Sequence, residues 1–501
     1  MVGAITVVVA AVLCTLSLVD YYTFKTASYD LVIFDQAIRS YSHFHLPVSL
    51  VKGMTDGFGP NFSLLGDHWS PVLVLLAPLY WIYGGPTTLL VAQAVLLALA
   101  IPPLWVFTRR ELGVTASYGV VVAYGLSWPV ATAAAADFHE VAFAPVLLAV
   151  LFERLSAYRR ASAPWWHVVL AALAALTVKE DMGFLVCGLG LAMLVLRRWR
   201  LGAAFTVGGL AYTWVAARLL IPAFGGNANF YWAYGQFGKD VPSAVAYMII
   251  HPVDVLRTFV QPGIKAHTMA WLLAVGAFAP LVSPYVLVVL PPLAERMLAA
   301  PRHLTWWVAA WQYNAFLVVP LLCAGVDGVV RLQNLWVRKR EAHPGAKDLW
   351  VARRIGVVWA AATLAVALWS VHVFSLDTLI HKSTWQQTAA QRAAAAAVAK
   401  VPDGALVEVA NNLGPQLSGR ARVMLWGRTP FWAPWIVADV GKLKWPFCSH
   451  REVPRRMAAL QAAGYQIAFQ QGDYVVLHRP GPDPVLTAIP NVVRPCLGAK
   501  S

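Results

Sequence analysis

Charge is what this sequence has least of. Only 13% of its 501 residues are Asp, Glu, Lys or Arg, about half the share of a soluble globular domain, while 59% are hydrophobic. A water-soluble enzyme is excluded on that ground. Cysteine is scarcer, with five in the chain and none at metal-type spacing, which excludes zinc ribbons and disulfide-dense scaffolds. Cys14, Cys187 and Cys323 fall inside apolar runs and read as packing residues; Cys448 and Cys496 fall in a polar region. No H-E-x-x-H and no His pair at helical metal spacing is present.

What is abundant is apolar sequence in helix-length runs. They fall near 4–20, 87–108, 114–134, 141–156, 165–178, 182–196, 202–221, 267–280, 282–294, 313–330 and 355–375. A helix needs about 20 residues to cross the hydrocarbon of a bilayer, so the chain reads as an α-helical polytopic membrane protein with about eleven crossings. The pattern excludes a β-barrel. The first run has no basic n-region and no small-residue cleavage site, so it reads as a retained helix rather than a signal peptide. The segment 71–83 carries Pro78, Tyr80, Trp81 and Tyr83 and reads as an interfacial helix within a first outer loop, 21–86.

The net charge of +15 sits in short clusters between apolar runs, the juxtamembrane pattern rather than a nucleic-acid footprint. Arg109/Arg110, Arg154/Arg159/Arg160, Arg197/Arg198/Arg200 and the segment 331–354 all fall on one side of the membrane. Together they hold fifteen Lys and Arg against Glu111, Glu153, Glu341 and Asp348. The positive-inside rule makes that side cytoplasmic, with the N-terminus inside and the C-terminal region outside, in a bacterial cytoplasmic membrane.

The remaining carboxylates then gather on the outer face: Asp30, Asp35, Asp67, Asp137, Glu140, Glu180, Asp181 and Glu295. Outer loops are polar simply because they meet water, which accounts for any one of them singly. The loops 137-DFHE-140 and 179-KED-181 are too short to leave the helix ends, however, and ionisable groups at that depth mark a functional cavity. His43, His45, His68 and His139 lie on the same face and keep a divalent metal open. An outer carboxylate suits glycosyl transfer from a lipid-linked donor, which needs a base for the acceptor hydroxyl and cations for the leaving lipid phosphate. Lys179, Arg296, Arg302 and His303 are candidates for the second task. The long outer loop near 221–265 is rich in Gly, Asn and aromatics, which either stack on sugar rings or lie in the headgroup belt.

The stretches 29-YDLVIFDQAIRS-40, 66-GDHWSPVLVLLAPLY-80, 137-DFHE-140, 179-KED-181 and 311-WQYNAFLVVP-320 resemble a family of bacterial polytopic membrane proteins. That family is defined by a domain of unknown function and grouped with the GT-C glycosyltransferases. The resemblance spans residues 20 to 330. It implies a GT-C-like fold, a polyprenyl-phosphate sugar donor and a cell-envelope glycan, lipid or protein as acceptor. It also implies a catalytic Asp in the first outer loop, a place that Asp35 fills with Asp30 as competitor. His68, Asp137, His139, Glu140, Lys179, Glu180, Arg296, Arg302, Gln312 and Tyr313 are the implied substrate and lipid-phosphate contacts. Gln36 stands where a second acid is common, which leaves metal use open.

After residue 375 the composition changes. A helix over 384–401, short β runs at 405–410, 421–426 and 435–440, a helix over 450–464 and a hairpin over 466–478 predict an extracytoplasmic α/β domain, 376–501. It contains no nucleotide loop, no Ser-centred elbow and no metal cluster, so it reads as an acceptor-binding or structural part. In an oxidising compartment Cys448 and Cys496 are expected to pair. A transporter or flippase using the same carboxylates is the alternative, although no internal repeat is apparent.

Overall fold

A computed structural model describes residues 1–227, 229, 232–338, 346–427, 433–441 and 443–488. The expected Cys448–Cys496 pairing and part of the basic 331–354 segment fall outside them; Cys448 itself is disulfide-bonded.

Among the described residues seven helices are long and apolar enough to cross a membrane. They are Val2–Tyr22, Pro86–Leu112, Val114–Ala135, Glu140–Arg159, Trp199–Ala223, Gln312–Val337 and Arg354–Val371. Two shorter apolar helices, Trp165–Leu176 and Met182–Val195, complete the alternation between the two ends of the bundle. The runs expected at 267–280 and 282–294 are not straight helices. The chain descends through Gly263–Val275 and 3₁₀ turns at Ala279–Val282 and Pro284–Val288, then returns through the short helix Leu290–Met297. At the lowest point Ser283 Oγ donates to Asp327 at 2.7 Å and the Tyr285 hydroxyl accepts from Arg159 at 3.0 Å. Pro280, Pro284, Pro291 and Pro292 remove backbone donors along these legs and break the helix into pieces. Among the described residues the eleven expected runs are therefore nine helices and two broken legs. A further pair, Val241–Ile250 and Pro252–Val260, is bent by 102°.

One end of the bundle is basic, and several of its arginines are paired: Arg110 with Glu153 at 2.7 Å, Arg160 with Glu111 at 2.9 Å, and Arg331 with Asp327 at 2.7 Å. The opposite end carries the loops 137–139 and 179–181, the segment 28–85 and the C-terminal sheet. We call it the acidic end. The 3₁₀ helix Pro71–Trp81 buries Val72, Leu73, Leu76 and Tyr80 and leaves Val74, Leu75 and Trp81 exposed.

The C-terminal domain is a five-stranded sheet of β1 (Leu406–Val409), β2 (Arg422–Leu425), β3 (Trp435–Asp439), β4 (Gln466–Gln471) and β5 (Tyr474–His478), in the order β2-β1-β3-β5-β4. β1 is parallel to β2 and β3; β5 is antiparallel to β3 and β4. The unbroken burial of β1 suits a central strand with both faces covered. Gly414 lets the domain approach the first outer segment, since a Cβ there would lie 2.0 Å from Ser28 Oγ.

Candidate active site at the acidic end

The two aspartates of the first loop have different surroundings. Asp35 lies on the helix Ile33–Ser42 and is 0% exposed. Its oxygens accept from Tyr80 Oη at 2.7 Å, from Arg39 Nη2 at 3.1 and 3.3 Å, and from Ser418 Oγ of the C-terminal domain. Both oxygens are thus engaged within the chain, and the side chain is sealed from solvent. Asp30 lies five residues earlier in a π-helical turn, Ser28–Val32, with a side chain 39% exposed and His139 Nε2 at 3.5 Å.

Around Asp30 the short loops converge. Lys179 Nζ pairs with Glu140 Oε1 at 3.1 Å. Glu180 accepts from His68 Nδ1 at 2.7 Å and from the backbone N–H of Trp69 at 3.0 Å. Tyr313 lies within electrostatic reach of Lys179, Asp30, Arg296 and Glu140. Asp137 sits at φ +60°, a strained conformation for a residue with a side chain. Its Oδ2 accepts the Ala27 N–H at 2.9 Å, while Oδ1 has no partner.

Burial and then the Asp30 charge hold the Asp137 carboxyl well above the usual carboxylate range. Burial works against the Lys179 ammonium, but Glu140, Asp181 and Glu180 outweigh it and raise its pKa. Asp181 is pushed up to about 6 by burial, against the pull of Lys179. For His68, burial and Lys179 disfavour the proton, yet Glu180 and Asp67 win and raise its pKa.

The expected phosphate cations separate in the same way. Arg296 is buried and donates to the carbonyls of Trp306 and Tyr313 and to Asn314 Oδ1, at 2.6 to 3.1 Å. It staples the returning leg to the start of Gln312–Val337. Arg302 donates Nε to His303 at 3.0 Å and Nη2 to the Trp232 carbonyl. Lys179 faces the cluster with one carboxylate partner and further N–H capacity. Gln312 is buried with Oε1 unpartnered. His43 and His45 line a separate groove of about 690 Å³ beside Arg39, Arg420 and Arg422. Among the described residues no three of His, Cys, Asp and Glu converge as a metal-holding group.

Three supports went unread in the sequence. Buried Lys52 pairs with Asp56 and Asp67, both at 2.8 Å, and Tyr29 Oη donates to Asp56 at 2.8 Å, so the loop is tied on both sides of the site. Gln93, deep in an apolar helix, donates to the carbonyls of Ala133 and Asp137 and accepts the His139 N–H at 3.0 Å. Asn411 accepts the backbone N–H of Ser28 through its carbonyl at 2.6 Å and that of Tyr29 through Oδ1 at 3.0 Å. A lone Gln inside an apolar run was the one visible signal, because a buried amide needs partners.

Over residues 20–475 the chain matches the family described as Predicted membrane protein (DUF2079). No curated relative matches it. It is similar to the crystal structure of ArnT from Cupriavidus metallidurans bound to undecaprenyl phosphate, at 14% identity and a TM-score of 0.49, covering 95% of this chain and 97% of that one. It is also similar to the archaeal oligosaccharyltransferase AglB from Archaeoglobus fulgidus in complex with an inhibitory peptide and a dolichol-phosphate. There the identity is 10%, the TM-score 0.44 and the coverage 88% of this chain and 69% of that one.

Proposed function

The chain belongs to the DUF2079 family of predicted membrane proteins, and from the geometry of its acidic end we propose an integral-membrane glycosyltransferase. It moves a sugar from a polyprenyl-phosphate donor to a cell-envelope acceptor outside the cytoplasm. The observation that carries this reading is the exposed Asp30 carboxylate, set against His139 in a cluster that includes the Lys179 ammonium. The acceptor oxygen attacks the anomeric carbon as Asp30 takes its proton. The bond from that carbon to the phosphate oxygen breaks, and the prenyl phosphate leaves with the electron pair, held by Lys179. Asp35 keeps the segment in place instead of acting on the acceptor.

Asp30→Asn tests the reading in a transfer assay with purified protein and a polyprenyl-phosphate sugar. Turnover should fall about 10²- to 10⁴-fold, with donor binding and thermal stability retained. Undiminished turnover in Asp30→Asn would remove the base from this residue. The second reading, transport or flipping of a lipid, draws on the broken legs and the 102° bent pair. Lipid scrambling by proteoliposomes that show no transfer with any donor would favour it.

A further inference from the structure

At the acidic end several buried carboxylate and amide oxygens have no donor from the chain. Glu140 Oε2, Asp181 Oδ1 and Gln312 Oε1 are each shut away from solvent without a hydrogen-bond partner. They are not scattered over the molecule. Glu140 pairs with the Lys179 ammonium, and Asp181 lies within its electrostatic reach. Gln312 adjoins Tyr313, which lies within electrostatic reach of Lys179, Glu140 and Asp30. Lys179 bonds Glu140 through Oε1 and leaves Oε2 unused. Arg296 is committed to backbone carbonyls and Asn314.

Such a set is complemented by a ligand that brings several O–H or N–H groups on one small body. Sugar hydroxyls do this, and a sugar ammonium adds favourable charge. A sugar carboxylate brings acceptors only, and a charge of the same sign as Asp30, Glu140 and Glu180. We propose that this cluster is the glycosyl subsite and that it takes a sugar without a carboxylate, either neutral or amino-bearing. The inference rests on the glycosyltransferase reading of the site and adds the class of sugar. Glu140 and Gln312 accept ring hydroxyls, Asp181 accepts a hydroxyl or pairs with an ammonium, and Lys179 stays turned to the phosphate.

The test uses the full chain in nanodiscs and four short-chain prenyl phosphates: hexosyl, aminohexosyl, hexuronosyl and sugar-free. Binding is read by intrinsic tryptophan fluorescence, and folding of each variant by thermal unfolding. The hexosyl lipid should bind about 10-fold or more tighter than the hexuronosyl lipid, with the aminohexosyl lipid at least equal to the hexosyl one. Asp181→Asn should narrow the gap to the hexuronosyl lipid, and Gln312→Leu should weaken the hexosyl lipid, both with sugar-free binding kept. Hexuronosyl binding equal to or tighter than hexosyl binding overturns the inference. So does equal binding of all four lipids, an outcome that leaves the lipid-carrier reading standing. Failure of all four to bind overturns both.

Discussion

A carboxylate works as a base only while an oxygen is free to take a proton. Asp35 has none free: Tyr80, Arg39 and Ser418 occupy both oxygens, and the side chain is sealed from solvent. Asp35→Asn keeps the shape but sets an amide against donors, so it should cost about 2 kcal/mol of stability, read as a lower Tm in detergent. Residual activity should track the folded fraction. Asp181 gives a pH signature. Its carboxyl titrates near 6 in the fold against 3.8 in the free state, so the folded protein binds more protons than the unfolded chain between those values. The stability from this group is present below pH 3.8 and is lost as pH rises to about 6. Asp181→Asn removes that loss. The variant should melt a few degrees above the parent at pH 8 and level with it below about pH 4, and an unchanged Tm difference across that range would contradict the assigned burial.

The π-helical turn Ser28–Val32 depends on an element that is distant in sequence. Its first N–H groups are accepted by Asn411, Gln36 Nε2 donates to the Val423 carbonyl at 2.9 Å, and Tyr29 packs on Trp445 with ring centroids 4.5 Å apart. The C-terminal domain thus holds the turn that carries the residue proposed as base. Asn411→Ala should lower kcat about 10- to 100-fold with little change in donor affinity, because misplacement affects the reacting geometry first. Asn411→Asp keeps the accepting oxygen and should restore most of the rate; equal loss in both variants would mean a folding role alone. This coupling was not legible in the sequence, since hydrogen bonds across 382 positions leave no local pattern. The cluster 137–140 with 179–181 was legible, because loops that short hold their charges at the helix ends. The partners of Asp35 and Arg296 were not legible for one reason: residue type shows what a side chain offers and not which groups already occupy it.

At the scale of the whole chain two charged ends are separated by apolar helices, and the alternation of the runs made those ends readable in advance. The crossing count was less readable, because hydropathy scores a proline-broken leg much as it scores a straight helix; only the spacing of Pro280, Pro284, Pro291 and Pro292 points to the break. The two legs descend and return as a pair, so exchanging them for helices does not alter which end any later segment reaches. The orientation expected from the basic clusters therefore survives the change in count. It is open to a direct test in cells. A cysteine at Ser162, in the turn between Glu140–Arg159 and Trp165–Leu176 at the basic end, should react with a membrane-impermeant maleimide only after the membrane is opened. A cysteine at Gly472, in the β4–β5 turn of the C-terminal domain, should react in intact cells. Three native cysteines, Cys14, Cys187 and Cys323, are free but lie within apolar helices, so they contribute little background. The reverse labelling pattern would turn Asp30 and Lys179 toward the cytoplasm, where soluble nucleotide sugars are the available donors. A base at the acidic end would then serve a different reaction from transfer off a lipid carrier on the outer face.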